Sequence, residues 1–131
     1  MKRNFLIGGI ALAAIAVILG AFGAHALKAK LESDMLQVFE TGVRYQMYHS
    51  LALILTGILS STYKSSSIRY AGNFFIAGII FFSGSIYLLS TKEILGAGSL
   101  SFLGPVTPLG GLCFLTGWGM LLHAVIKNKQ S

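Results

Sequence analysis

Four long apolar stretches alternate with short polar segments along this chain. They cover residues 5–27, 35–60, 69–90 and 108–126. Each is close to the roughly 20 residues that a helix needs to cross a hydrocarbon core of about 30 Å. Because the connections are short, consecutive helices should run in opposite directions. The pattern predicts an all-α integral membrane protein, with one antiparallel four-helix bundle of transmembrane helices over residues 1–131.

The first stretch carries small residues at helical spacing, at Gly9, Ala13, Ala16 and Gly20. Membrane helices associate by close packing, and such a stripe lets two backbones approach each other. The partner is either another helix of the same chain or a second copy. A seam within the chain is favoured, since three other spans are available.

Two helix starts have recognisable signals. Asp34 followed by Gln37 has the pattern of a capping box. Helical spacing then continues to Ser60, which predicts one helix of about 27 residues and roughly 40 Å. Before the fourth stretch, Thr107 is the predicted N-cap and Pro108 the first helical residue.

Composition and charge restrict the class of protein. Hydrophobic residues make up 54% of the chain and charged residues 11%, with a mean hydropathy of +0.74. Soluble domains carry about 25% charged residues, so an ordinary soluble domain is excluded. The net charge of +6 comes from residues scattered at the ends of spans, without the basic stripe of a nucleic-acid-binding protein.

The basic residues also predict an orientation. Four flank the side that holds the first and third connections, where acidic residues offset them. Six flank the side that holds both termini: Lys2, Arg3, Lys64, Arg69, Lys127 and Lys129. The positive-inside rule therefore predicts a multi-pass protein with both termini in the cytoplasm.

Polar and ionisable side chains interrupt the second apolar stretch. Such groups are costly in a membrane, so by default they face a bundle interior or a cavity and indicate a candidate site. Folding the helices should bring polar residues of all four into the outer leaflet, while the inner halves are almost wholly apolar. The predicted cluster contains His25, Arg44, Tyr45, Gln46, Tyr48, His49, Ser83, Ser85, Tyr87 and Thr107.

This cluster has a functional and a structural interpretation. In the first, it forms a small hydrated pocket in which Arg44 attracts an anionic group and His49 or His25 moves a proton. In the second, Arg44 bonds helix C-terminal carbonyls or reaches the headgroups, and the tyrosines are interfacial anchors. The residues alone leave both open.

Conventional catalytic and cofactor motifs do not appear in the sequence. No metal site of recognisable ligand spacing is present, and Gly96-Ala97-Gly98 lacks the lysine of a phosphate-binding loop. No carboxylate lies in the membrane part of a span to orient a histidine as a catalytic triad requires. We therefore expect no cofactor and no metal, and an enzyme is the least favoured class.

Several local sequences along the chain form a recognisable set. They are residues 20–27, 39–53, 82–87, 104–111 and 117–118. Together they resemble, across essentially the whole chain, the small bacterial membrane proteins of domain of unknown function 423, whose eukaryotic relatives are called transmembrane protein 256. The resemblance implies a four-span, multi-pass protein of the bacterial cytoplasmic (inner) membrane without an established activity, and it supplies no catalytic residues.

Two functional hypotheses follow. The first is an accessory protein in which the polar cluster locks the helices together or docks a larger membrane partner. The second is a binding protein or minimal transporter for a lipid headgroup or a small anion. The expected partners are membrane lipids and either a membrane protein or a second copy, and no nucleic acid.

Overall fold

The structure, a computed structural model, describes residues 2–96, 98 and 100–128. Within these ranges the chain forms helices and turns and contains no strand. The α-helices are α1 (Arg3–His25), α2 (Ser33–Leu59), α3 (Ser66–Gly78), α4 (Ser85–Thr91) and α5 (Val106–Lys127). The predicted all-α class is confirmed.

Three helical segments are long and apolar enough to cross a membrane. They are Arg3–Ala29, Ser66–Thr91 and Ser101–Lys127, with mean hydropathies of 2.6, 1.9 and 1.7. Helix α2 has 27 residues but is not among them, because the polar run from Arg44 to Ser50 lowers its hydropathy. Membrane crossing by α2 thus stays a prediction.

The helices pack antiparallel. Helix α1 lies along α2, while α3 lies along α5 and also contacts α2. The backbone N–H of Lys2 donates to Ser60 Oγ at 2.6 Å, and Ser67 Oγ lies 2.9 Å from His123 Nδ1. The start of α1, the end of α2, the start of α3 and the end of α5 therefore share one end of the molecule, the terminal end. The opposite end, the loop end, holds the turns after α1 and before α5.

A π-helical segment, Ile79–Gly84, joins α3 to α4 in one continuous helix. Its residues are as apolar as those of the flanking α-helix, so the hydrophobic pattern gives no sign of it. Helix α5 packs against this segment through Gly110, where a Cβ would overlap the backbone nitrogen of Phe82. The close approach of these two helices therefore requires glycine at position 110.

Both predicted caps are wrong. Helix α2 begins at Ser33 after Glu32, without a side-chain capping hydrogen bond, so Asp34 lies inside the first turn. There its carboxylate still interacts favourably with the helix dipole. Helix α5 begins at Val106, because Pro105 already has helical angles (φ −69°, ψ −18°). The Thr107 hydroxyl is consequently free to bond another helix.

The small-residue stripe of α1 faces α2, which confirms the predicted seam within the chain. A Cβ on Gly9 would lie 2.9 Å from the carbonyl oxygen of Ser50. Ala16 is completely buried, and a Cβ on Gly20 would meet Val43 at 3.4 Å. The two backbones approach closely because these positions carry so little side chain.

Candidate functional site

The centre of the polar interior is the side-chain amide of Gln46. Its Nε2 donates to the carbonyl oxygen of Leu12 in α1 at 2.8 Å, and its Oε1 accepts from the Tyr87 hydroxyl of α4 at 2.6 Å. The Tyr87 ring packs against Phe39, with ring centroids 5.2 Å apart. This Gln46 network, made of Leu12, Gln46 and Tyr87, connects three helices through one buried side chain.

Two serines, one in the π-helical segment and one directly after it, make further bonds between helices. Ser83, which is completely buried, donates to the carbonyl oxygen of Gly42 in α2 at 2.7 Å. Ser85 Oγ lies 2.5 Å from Thr107 Oγ1 in α5. In this way, three of the polar side chains predicted on the third and fourth spans join helices to one another.

His49 has partners at both ring nitrogens. Its Nδ1 lies 2.8 Å from the carbonyl oxygen of Tyr45, and Trp118 Nε1 lies 3.0 Å from its Nε2. An indole N–H can only donate, so Nε2 is the acceptor and the ring proton is on Nδ1. The imidazole also stacks on Phe114, with centroids 3.6 Å apart and planes 10° apart. This His49 cluster, comprising Tyr45, His49, Phe114 and Trp118, leaves no ring nitrogen free to accept a proton.

Three predicted site residues lie outside this interior. Arg44 is exposed and donates to Thr41 Oγ1 at 3.1 Å, one turn earlier in the same helix. Tyr48 is 54% exposed, and His25 is exposed in the last turn of α1. Tyr45 is also exposed, at 39%, although its ring packs on Phe82 with centroids 4.8 Å apart. Arg44 and His49, which the sequence grouped together, therefore point to different faces of α2.

Polar contacts are found along the length of the bundle and not at the loop end alone. Gln46 is thirteen residues from either end of α2, and its acceptor Leu12 is nearer the start of α1 than the end. Gln46 therefore lies midway along α2, and the outer-leaflet placement of the cluster stays a prediction. The terminal-end half also holds polar bonds, from Thr56 to the carbonyl oxygen of Ala52 and between Ser67 and His123.

Sequence reasoning missed two residues that complete these contacts. In the sequence, Trp118 stands out only as part of the segment 117–118, and His123 is predicted to be an end-of-helix residue. The available signal was chemical. A Trp or His within an apolar helix brings a donor that needs a partner when it is buried, and such a partner is most often on a neighbouring helix.

The polar interior is closed. Among the described residues, no buried side-chain nitrogen or oxygen lacks a hydrogen-bond partner. Within the same ranges, no three His, Cys, Asp or Glu side chains come together as metal ligands. The chemistry that this arrangement supports is helix association through satisfied hydrogen bonds.

The known proteins that are similar to this chain include bacterial membrane proteins. A profile of the family described as "Protein of unknown function (DUF423)" matches residues 19–111. The chain is 46% identical over 125 residues to a UPF0382 membrane protein of Staphylococcus aureus (strain bovine RF122 / ET3-1), covering 95% of this chain and 97% of that protein. It is 44% identical over 126 residues to the UPF0382 membrane protein YwdK of Bacillus subtilis (strain 168), covering 95% and 98%. No solved structure matches.

Proposed function

Because this chain belongs to the DUF423 family, with relatives named as bacterial membrane proteins, we propose that it is a four-span, non-enzymatic accessory protein that docks a larger membrane partner. Its interior holds the four helices in one arrangement. Its outer surface on α2 meets the partner.

The connectivity supports the proposal that α2 crosses the membrane in addition to the three long apolar segments. Helix α1 runs from the terminal end to the loop end, and the continuous helix from Ser66 starts again at the terminal end. If both of these helices cross the membrane, the chain must return between them, and α2 is the segment that does so. The Gln46 network shields part of its polar run from lipid, which lowers the cost of placing it in a membrane.

The distribution of charge supports an orientation. The described basic residues of the terminal end are Lys2, Arg3, Lys64, Arg69 and Lys127, and no acidic residue accompanies them. Positive charge near the ends of spans favours the cytoplasmic side. The proposal therefore places both termini in the cytoplasm of a bacterial cell, with the protein in the cytoplasmic membrane.

The observation that carries the accessory role is the closed interior. Every buried polar side-chain atom in the described residues has a partner within the chain. A catalytic group or an anion carrier would need a polar group free to meet its substrate. The Gln46 network and the His49 cluster instead use their donors and acceptors to join helices, which is what a scaffold requires.

The outer face of α2 supports docking. Arg44 and Tyr48 are exposed there, followed at helical spacing by the exposed Leu51, Leu55 and Ile58. An arginine facing hydrocarbon is expensive, so such residues nearly always meet protein, water or headgroups. A partner that covers this α2 outer face, made of these five residues, would pair the guanidinium and pack on the tyrosine.

Native mass spectrometry of the gently extracted protein tests the proposal. Wild-type protein should carry a second membrane protein, and an Arg44→Gln, Tyr48→Leu double variant should lose it. A Phe22→Leu, Lys28→Gln variant removes an exposed ring and a charge from the end of α1 and its following turn, and should keep the partner. Wild-type protein found only as a monomer, or only as a pair of 14.0-kDa chains, would contradict docking of a larger partner.

A further inference from the structure

An apolar groove runs between α3 and α5 in the half nearer the terminal end. Its volume is about 500 Å³, and its lining includes Ser67, Tyr70, Thr116, Gly119, Met120 and His123. A Cβ on Gly119 would meet no atom within 4 Å, so the glycine leaves the groove open along α5. The bond between Ser67 and His123 satisfies the polar atoms beside it.

A basic cavity continues this groove at the terminal end. It is lined by Lys64, Ser65, Ala124, Lys127 and Asn128. Ser65 and Ala124 are each next in the chain to a residue that lines the groove, Ser66 and His123. The Arg69 guanidinium carbon lies 5.4 Å from the centre of the Tyr70 ring, and Tyr70 is a wall of the groove. Three cationic side chains, those of Lys64, Arg69 and Lys127, therefore lie toward the terminal end of the groove.

The charge of the molecule is concentrated at this end. All four acidic residues lie in the loop-end half, where they balance Lys28, Lys30, Arg44 and Lys92. The acidic residues are Glu32, Asp34, Glu40 and Glu93. The described basic residues of the terminal end have no acidic residue beside them to offset their charge: Lys2, Arg3, Lys64, Arg69 and Lys127.

The dimensions of the groove fit one acyl chain. Thr116 and Lys127 are eleven residues apart on α5, which is about 16 Å at 1.5 Å per residue. Half of a hydrocarbon core is about 15 Å. A lipid whose phosphate lies at Lys127 would therefore extend its chain to Thr116, near the bilayer centre.

We propose that this groove binds an anionic phospholipid, with one acyl chain between α3 and α5 and the phosphate among Lys64, Arg69 and Lys127. The site is distinct from the docking face on α2 and is additional to the proposed function. Basic residues near a membrane surface attract anionic lipid by roughly fivefold in affinity each, and the groove fixes the position of one such lipid.

The test measures how strongly the purified full chain retains phosphatidylglycerol and phosphatidylcholine in native mass spectrometry. Phosphatidylglycerol should bind at one site and phosphatidylcholine should not compete. A Lys64→Gln, Lys127→Gln variant should lower phosphatidylglycerol affinity about 25-fold. A Lys28→Gln, Lys92→Gln variant, which removes two charges at the loop end, should leave the affinity unchanged.

Filling the groove tests its acyl-chain part. Gly119→Leu should lower phosphatidylglycerol binding severalfold, whereas Gly111→Leu, at an equally open position on the same helix, should not. Equal retention of the two lipids, equal effects of the two glycine variants, or displacement of the lipid by inorganic phosphate alone would each overturn the proposal. If Gly119→Leu does not fold, the two lysine pairs decide the matter.

Discussion

The Tyr87 hydroxyl donates a hydrogen bond of 2.6 Å to Oε1 of Gln46, across the interface between α4 and α2. The same amide donates to the backbone of α1 through the carbonyl oxygen of Leu12. Because both ends of the amide are used, its orientation is fixed by chemistry, and neither partner can move without leaving a buried polar atom unpaired. One glutamine thereby couples the first helical pair to the second.

Replacing Gln46 with leucine should destabilise the protein by about 2 kcal/mol. Hydrogen bonds between membrane helices contribute about 0.6 kcal/mol on average and up to about 1.7 kcal/mol each. Gln46→Leu breaks two of them and leaves the Tyr87 hydroxyl unpaired. Reversible unfolding in mixed detergent micelles measures the change.

Gln37→Leu is the matched control for this variant, since it removes an exposed amide from the same helix. Its effect should stay within about 0.5 kcal/mol. Equal effects of the two substitutions would show that the Gln46 network does not hold the helices together.

Two neighbouring glycines of α5 should respond in opposite ways. A Cβ at position 110 would overlap the backbone of Phe82 in the π-helical segment, whereas one at position 111 would meet nothing within 4 Å. Gly110→Ala should cost about 3 kcal/mol through overpacking. Gly111→Ala should leave the stability unchanged or slightly raised, because alanine favours the helix.

Thermal unfolding of both alanine variants in one detergent makes that comparison. A Gly110→Ala protein as stable as the wild type would mean that α5 does not pack against Phe82 as described.

His49→Ala should cost about 3 kcal/mol, since it removes a ring stacked on Phe114 and leaves the Trp118 N–H without its acceptor. His49→Phe keeps an aromatic ring and loses only the hydrogen bonds, so about 1 kcal/mol is expected. Trp118 is the single tryptophan of the chain, and its fluorescence follows the unfolding of each variant. Equal losses for the two variants would contradict the assigned stacking.

Arg44→Gln should change the stability of the isolated protein by no more than about 0.5 kcal/mol. The side chain is exposed, and its hydrogen bond to Thr41 lies within its own helix. The free energies of unfolding of purified Arg44→Gln and His49→Ala are compared, since the two positions lie on different faces of α2. A loss for Arg44→Gln as large as that for His49→Ala would place the guanidinium in the interior.

The sequence predicted the helices well because hydropathy and small-residue spacing report burial directly. The spacing of small residues within α1 was enough to predict the close contact at Gly9 and Ala16. That prediction required only that a second helix be available. The capping predictions at Asp34 and Thr107 failed because each helix begins earlier in the chain than its predicted cap. Helix α2 begins at Ser33 after Glu32, and α5 begins at Val106 after Pro105. The Thr107 hydroxyl bonds Ser85 on another helix instead.

The candidate site was harder to predict, because neighbouring residues in α2 point in different directions. Arg44 and Gln46 are two positions apart, yet one is exposed and the other is buried. Which of them faces inward depends on where α1 and α4 lie, and that is tertiary information. Trp118 was missed as a partner of His49 for the same reason, since 69 residues separate the two.

Site-specific photo-crosslinking in native membranes tests the central claim most directly. A crosslinking residue at position 48, on the α2 outer face, should give one discrete protein adduct, and Arg44→Gln should abolish it. A crosslinking residue at position 17, which is similarly exposed on α1, should label lipid. Lipid labelling alone at both positions would contradict the account, because it would show that the exposed face of α2 meets no partner.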